Sequence, residues 1–301
     1  MLPKGVTGLE IWDLPGADIE FWRRAGTTFV HARRSEGFKE SEIGAEVAAE
    51  VALVLSRIHA GHYPTRAQVA KGFTRLFLCG GLTVLDGFRE ALSETELPFA
   101  VTFGEGSLGA VMGGRELLLS RGFDSGVIID VGQSALKLDL VCPRGEEVRI
   151  VARDLHRAPI VFEPERIRLG AARLAELGHS SIEFVADVVA EALESRFLPP
   201  PRVVLSLPCP LDADLVPGGT TYTHWEGDKD LIPKIVRAID QRLVTRPRLA
   251  KCPWREAAEL QLWVLNDAEM AALAARKELK TPEKTLVVTL GYGPGAALLQ
   301  G

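Results

Sequence analysis

The sequence predicts an α/β fold. Two observations carry this: short apolar runs that stop at glycine, proline or an acid, and amphipathic helical stretches set between them. The clearest runs are RLFLCGG (75–81), PFAVTF (98–103), VVLSLPCPL (203–211) and LQLWVLND (260–267). The clearest helices are SEIGAEVAAEVALVLSRIHA (41–60) and SSIEFVADVVAEALESRF (180–197). No repeat at a fixed period and no low-complexity tract breaks the alternation.

In chain order, residues 41–60 place Ile43, Val47, Val51, Val54, Leu55 and Ile58 on one stripe of helical period, with Ser41 as the expected N-cap. Two glycines stop the strand at 75–81, and a helix is expected over 85–94. A strand at 98–103 precedes a helix over 106–120 with small residues on one side. Val127–Val141 reads as a hairpin, CPRGEE (142–147) as a turn and VRIVAR as a third strand. LPPPR ends the 180–197 helix, because proline removes a backbone donor and clashes with the preceding turn. A strand at 203–211 ends in prolines, a helix over 229–243 carries Pro233 in its first turns, and the strand 260–267 leads into the helix AEMAALAARKEL. TLVVTLGYGPGAALLQG (285–301) reads as strand, glycine turn, strand.

The chain has 301 residues, 47% hydrophobic and 25% charged, enough for two domains. A net charge of −5 gives no basic footprint for nucleic acid. LFLCGG is too apolar to be the turn of a helix-turn-helix. No apolar run approaches the ~18 residues of a membrane span, and MLPKGVTGLE lacks the regions of a signal peptide. Cys79, Cys142, Cys209 and Cys252 lie far apart without a CxxC pair, which argues against a disulfide framework and a zinc site. The cytoplasm is the expected compartment. The histidines show no metal-ligand spacing, and His224 reads as a loop residue.

Four stretches carry possible chemistry, each with a plain structural alternative. Asp130, Gly132, Gln133, Ser134 and Lys137 cluster at the first hairpin. Turn amides beside glycine can form an anion nest, Ser134 and Lys137 can donate to phosphate, and Asp130 can hold Mg²⁺, directly or through water. The alternative is ordinary Asp-x-Gly turn chemistry. Gly291, Gly293 and Gly295 form a second strand–glycine–strand junction, which alone is a weak signal. Gly80 and Gly81 could let a flat ligand lie against the backbone, or could serve close packing. Asp267 could be a general base or a helix cap.

Together these elements resemble the ROK sugar kinases and regulators of the actin/hexokinase-like ATPase superfamily. DVGQSALK (130–137) matches the family's opening D-x-G-x-[ST]-x-x-K. LSLPCPLD (205–212) stands where the family has a V-P-G-P-x-D-like turn, and TYTHWEGDKDL (221–231) where it has a tryptophan-containing loop. LNDAEMAAL (265–273) is close to the family's N-D-A-x-x-A-A-L, and GYGPGAA (291–297) follows as the glycine hairpin. The rest of the family pattern lies before residue 127, over 41–121, so the chain resembles a circular permutation in which the family's first strand falls mid-chain.

The resemblance implies two actin-like (ribonuclease H-like) α/β domains around a cleft. Residues 1–105 and 267–301 would form the larger, 122–266 the smaller, with 106–121 as a crossover helix and Met1 near Gly301. It implies ATP with Mg²⁺, a sugar substrate, and allows a homodimer. Asp267 would be the catalytic base, Asp130 the metal-organising acid, and Gly132, Gln133, Ser134, Lys137, Gly291, Gly293 and Gly295 the phosphate contacts. Gly80 and Gly81 would face adenosine, and Asn266, Glu10, Pro208 and Thr221 the sugar. Departures fall on substrate and phosphate contacts: the zinc motif is absent, the G-E-x-G-H element is reduced to Gly8-Leu-Glu10-Ile-Trp12-Asp13, Thr221 and Tyr222 replace an asparagine, and Tyr292 and Pro294 alter the second hairpin. The expected function is ATP-dependent phosphorylation of a sugar hydroxyl; the alternative is a non-catalytic sensor or interaction protein on the same fold.

Overall fold

The computed structural model describes residues 5–9, 11, 26–63, 66–132, 135–144, 147–157, 170–195, 202–218, 224–247, 261–279, 283–291 and 293–301. It is a mixed α/β structure with two five-stranded sheets. The chain divides into two compact units: residues 1–113 with 267–301, and residues 114–266.

In the first unit the strands are β1 (Val6–Leu9), β2 (Arg75–Cys79), β3 (Ala100–Phe103), β9 (Thr285–Leu290) and β10 (Pro294–Leu299). Their order is β1-β10-β9-β2-β3. The β1/β10 and β10/β9 pairs are antiparallel, and β9/β2 and β2/β3 are parallel. Helices α1 (Gly26–Ser35), α2 (Glu40–Ala60) and α3 (Phe88–Glu94) belong to this unit. The expected stripe of α2 is buried, and it joins Leu76, Leu78, Leu286 and Val288 of the sheet in one core with Phe73, Phe88 and Phe99. Burial of such side chains, at roughly 25 cal/mol per Å² of apolar surface, is the main force holding helix to sheet. Met1 lies outside the described residues; Gln300 N–H donates to Gly5 O at 2.9 Å.

In the second unit β4 (Gly126–Val131), β5 (Ala135–Arg144), β6 (Glu147–Arg157), β7 (Arg202–Leu207) and β8 (Gln261–Asn266) are ordered β6-β5-β4-β7-β8. Here β4/β5 and β5/β6 are antiparallel, and β4/β7 and β7/β8 are parallel. Helices α5 (Ala171–Ser195) and α6 (Leu231–Thr245) share a core with this sheet, with Trp225 fully buried in it. The two sheets therefore repeat one pattern: a three-strand antiparallel meander extended by two parallel strands. The meander is β4-β5-β6 in one and β9-β10-β1 in the other, where it joins the two ends of the chain.

Several local expectations need correction. Ser41 is not the N-cap: α2 already begins at Glu40, capped at Lys39, whose N–H donates to the Glu42 carboxylate at 2.8 Å. The helix expected over 85–94 starts later, at Phe88, because Gly87 before it takes a left-handed conformation; a separate 3-10 turn covers Gly81–Val84. Helix α4 (Gly109–Ser120) starts after a separate 3-10 turn at Gly106–Leu108. Cys142 continues β5 instead of opening a turn, because β5 pairs with β6 out to Arg144. Helix α5 starts at Ala171, nine positions before the expected 180, and β1 and α1 were not foreseen. The final helix, α7 (Asp267–Leu279), begins directly after β8. Among the described residues no helix is long and apolar enough to cross a membrane.

Candidate functional site

In the second unit three strands place one polar row across an apolar sheet. Asp130 is opposite Lys137 in the β4/β5 register and opposite Ser206 in the β4/β7 register. Its flanking strand residues are apolar, so the carboxylate is only 3% exposed. A buried carboxylate is costly unless it is paired and hydrogen-bonded. Lys137 Nζ forms an ion pair with Asp130 Oδ2, and Ser206 Oγ donates to Oδ1 at 2.9 Å. The strand ends in a tight turn, where Gly132 N–H donates to Ala135 O at 2.9 Å. A side-chain carbon on Gly132 would lie 2.6 Å from that oxygen and 3.8 Å from Lys137 Nζ. The lysine head thus sits beside the turn backbone. At the same sheet end, Asn266 Nδ2 donates to Leu207 O at 3.3 Å, one residue before Pro208. Gln133, Ser134 and Thr221 lie outside the described residues.

In the first unit the carboxylate comes from a helix. Asp267 is the first residue of α7, so it does not occupy the cap position itself. Its Oδ1 accepts from the Ala268 N–H at 2.8 Å, and its Oδ2 accepts from Thr289 Oγ1 at 3.3 Å. Thr289 is opposite Gly295 across the second hairpin. A side-chain carbon on Gly295 would collide with Thr289 Oγ1 and lie 3.0 Å from Asp267 Oδ1. Gly295 therefore leaves room chiefly for the Thr289 hydroxyl, with the Asp267 carboxylate at its edge. A candidate base and the second glycine hairpin are in direct contact within one unit.

Gly80 and Gly81 have different roles. Gly80 has φ +106°, and a side chain there would strike the backbone of Leu290. It serves the close approach of two strand ends, the packing role weighed against ligand contact. Among the described residues nothing lies within 4 Å of a would-be side chain on Gly81 or Gly291. Gly293 lies in the turn between β9 and β10, and Glu10 lies outside the described residues.

Sequence reasoning missed Ser206, Thr289 and Glu269. Glu269 is a buried carboxylate in the first turn of α7 whose Oε1 would lie 2.6 Å from a side-chain carbon on Gly8. A lone hydroxyl inside VVLSLP was the available signal for Ser206. His224 sits in a turn with its ring against Trp225, and burial holds its pKa down to about 4.

Among the described residues no group of three or more His, Cys, Asp or Glu side chains is placed to hold a metal ion. Magnesium needs less, taking one or two carboxylates with waters and substrate phosphates. Asp130 is the carboxylate the sequence offers for that role, and both of its oxygens are engaged, one by Lys137 and one by Ser206.

No protein-family model matches the chain, and no curated protein matches it. Among solved structures, the ethanolamine utilization protein EutJ from Carboxydothermus hydrogenoformans is similar over 71% of this chain and 70% of its own, at 14% identity and a TM-score of 0.36. A likeness at that score carries no argument about activity.

Proposed function

We propose that the chain is a circularly permuted protein of the actin-like ATPase fold that transfers the γ-phosphoryl group of ATP to a sugar hydroxyl. The observation that carries this reading is the contact of Asp267 with Thr289 and Gly295, which sets a carboxylate against a glycine hairpin at the end of an apolar strand. The repeated strand order supports the fold. Strand ends of this kind are where α/β proteins place ligand-binding groups.

The family resemblance assigns the residue roles, unit by unit. Lys137 and the turn at Gly132 hold phosphate oxygens, and Asp130 organises magnesium. Gly81 and Gly291 present backbone to the nucleotide. Asn266 and Pro208 are assigned to the sugar. Asp267 accepts the proton of the attacking hydroxyl while the sugar oxygen bonds to the γ-phosphorus and the bond to the ADP oxygen breaks. Catalysis of this type is positioning and charge stabilisation.

A second reading is a non-catalytic sensor. It draws on the Asp130 carboxylate, engaged by Lys137 and Ser206, and on Pro294, which brings no N–H to the second hairpin. Release of ADP with a panel of hexoses and N-acetylhexosamines, beside calorimetry with ATP·Mg, separates the two. Turnover supports the kinase, and binding without turnover supports the sensor. Absence of both overturns the nucleotide reading.

A further inference from the structure

The two partners of Asp130 are unlike. Ser206 is fully buried, flanked in β7 by Leu205 and Leu207, and donates to Oδ1 from a neighbouring strand. A hydroxyl in such a strand is costly unless its bond is made, and rotation about one bond is its only freedom. Lys137 reaches Oδ2 with a long side chain that is 16% exposed, and its head lies beside the Gly132 turn. The ammonium can turn to an arriving anion; the hydroxyl cannot leave.

We propose that Ser206 is the fixed positioning residue of Asp130 and Lys137 its exchangeable partner, so that a polyphosphate takes the lysine head while the serine keeps the carboxylate in place. This rests on the phosphate-binding reading of the first hairpin, but the Ser206–Asp130 coupling can be measured without any ligand.

The first arm is a double-mutant cycle of Ser206→Ala and Asp130→Ala in urea unfolding. A hydrogen bond to a charged group predicts coupling of roughly tenfold or more in the unfolding constant; additive effects would overturn the positioning claim. The second arm is calorimetry with inorganic triphosphate and Mg²⁺. Lys137→Met should weaken binding about tenfold or more, since the variant loses the ammonium that meets the anion. Ser206→Ala should leave affinity within about twofold but lower turnover about tenfold, the order expected for one hydrogen bond to a charged group. Ser206→Thr, which keeps a hydroxyl, should restore it. Unchanged binding in Lys137→Met would overturn the exchange. If the wild type binds no triphosphate, the exchange and the nucleotide reading both fall, and the cycle alone judges Ser206. Should Lys137→Met fail to fold, Lys137→Arg provides the binding comparison, with a retained charge and weakened affinity expected from its different reach.

Discussion

The same row of the two sheets has been filled in opposite ways. In the second unit it reads Lys137–Asp130–Ser206 across β5, β4 and β7; in the first it reads Gly295–Thr289–Cys79 across β10, β9 and β2. One row builds its carboxylate into the strand and surrounds it with a cation and a hydroxyl. The other has no charge of its own, and its glycine leaves space chiefly for the Thr289 hydroxyl, which binds the carboxylate of Asp267 at its edge. The lesson is that a single strand-end position can serve as a fixed charge centre or as a socket. The side chain opposite it decides which.

The largest stability effect should come from breaking the built-in row. Lys137→Met leaves a buried carboxylate without its ion-pair partner, which costs about 3–5 kcal/mol. Removing the buried charge as well, in Lys137→Met/Asp130→Asn, should recover part of that loss, because no uncompensated charge then remains and the amide oxygen still accepts from Ser206. Urea unfolding of the single and double variants checks this. A single variant as stable as the wild type would show that the row is not a stabilising charge centre.

The socket should respond to added volume instead of lost charge. Gly295→Ala and Gly80→Ala both drive a methyl group into occupied space, an overpacking cost of about 1–3 kcal/mol each. A shift in the thermal midpoint measures it. If Gly295→Ala is tolerated without loss, the Thr289 hydroxyl and the Asp267 carboxylate beside it do not hold the space described.

Much of the fold was legible because it is written locally. The apolar strands ending at Gly80, Gly132, Gly291 and Asn266 needed only neighbouring residues to be seen, and so did the buried stripe from Ile43 to Ile58. Ser206 and Thr289 were not legible, since their importance lies in register between strands far apart in sequence. The two hairpins conceal it further. Residues 132–135 separate the paired Val131 and Leu136, while only 291–293 separate Leu290 and Pro294, so an ungapped alignment sets Lys137 beside Ala296 instead of Gly295. The early start of α5 was missed because residues 171–179 mix alanine and charge without a strong apolar stripe.

A smaller effect lies outside both rows, at His224. Its pKa is lowered from 6.5 to about 4 by burial. Between those values the unfolded chain takes up a proton that the folded chain refuses, so stability should rise with pH across that window. The urea midpoint should fall from pH 6.5 toward pH 4.5, less so in His224→Gln. Equal slopes would remove His224 as the cause. Smallest of all should be Gly81→Ala, within about 0.5 kcal/mol for an open surface position, which makes it a clean probe: nucleotide affinity should drop while stability holds.

The most direct test is Asp267→Asn, with turnover, ATP·Mg affinity and melting temperature measured on whichever sugar the panel identifies. Loss of a general base lowers turnover by about 10²–10⁴-fold, whereas asparagine keeps the shape and can still meet Thr289. The account predicts that loss, with ATP affinity and melting temperature nearly unchanged. Turnover equal to the wild type would contradict it and leave Asp267 as a structural link between α7 and the second hairpin.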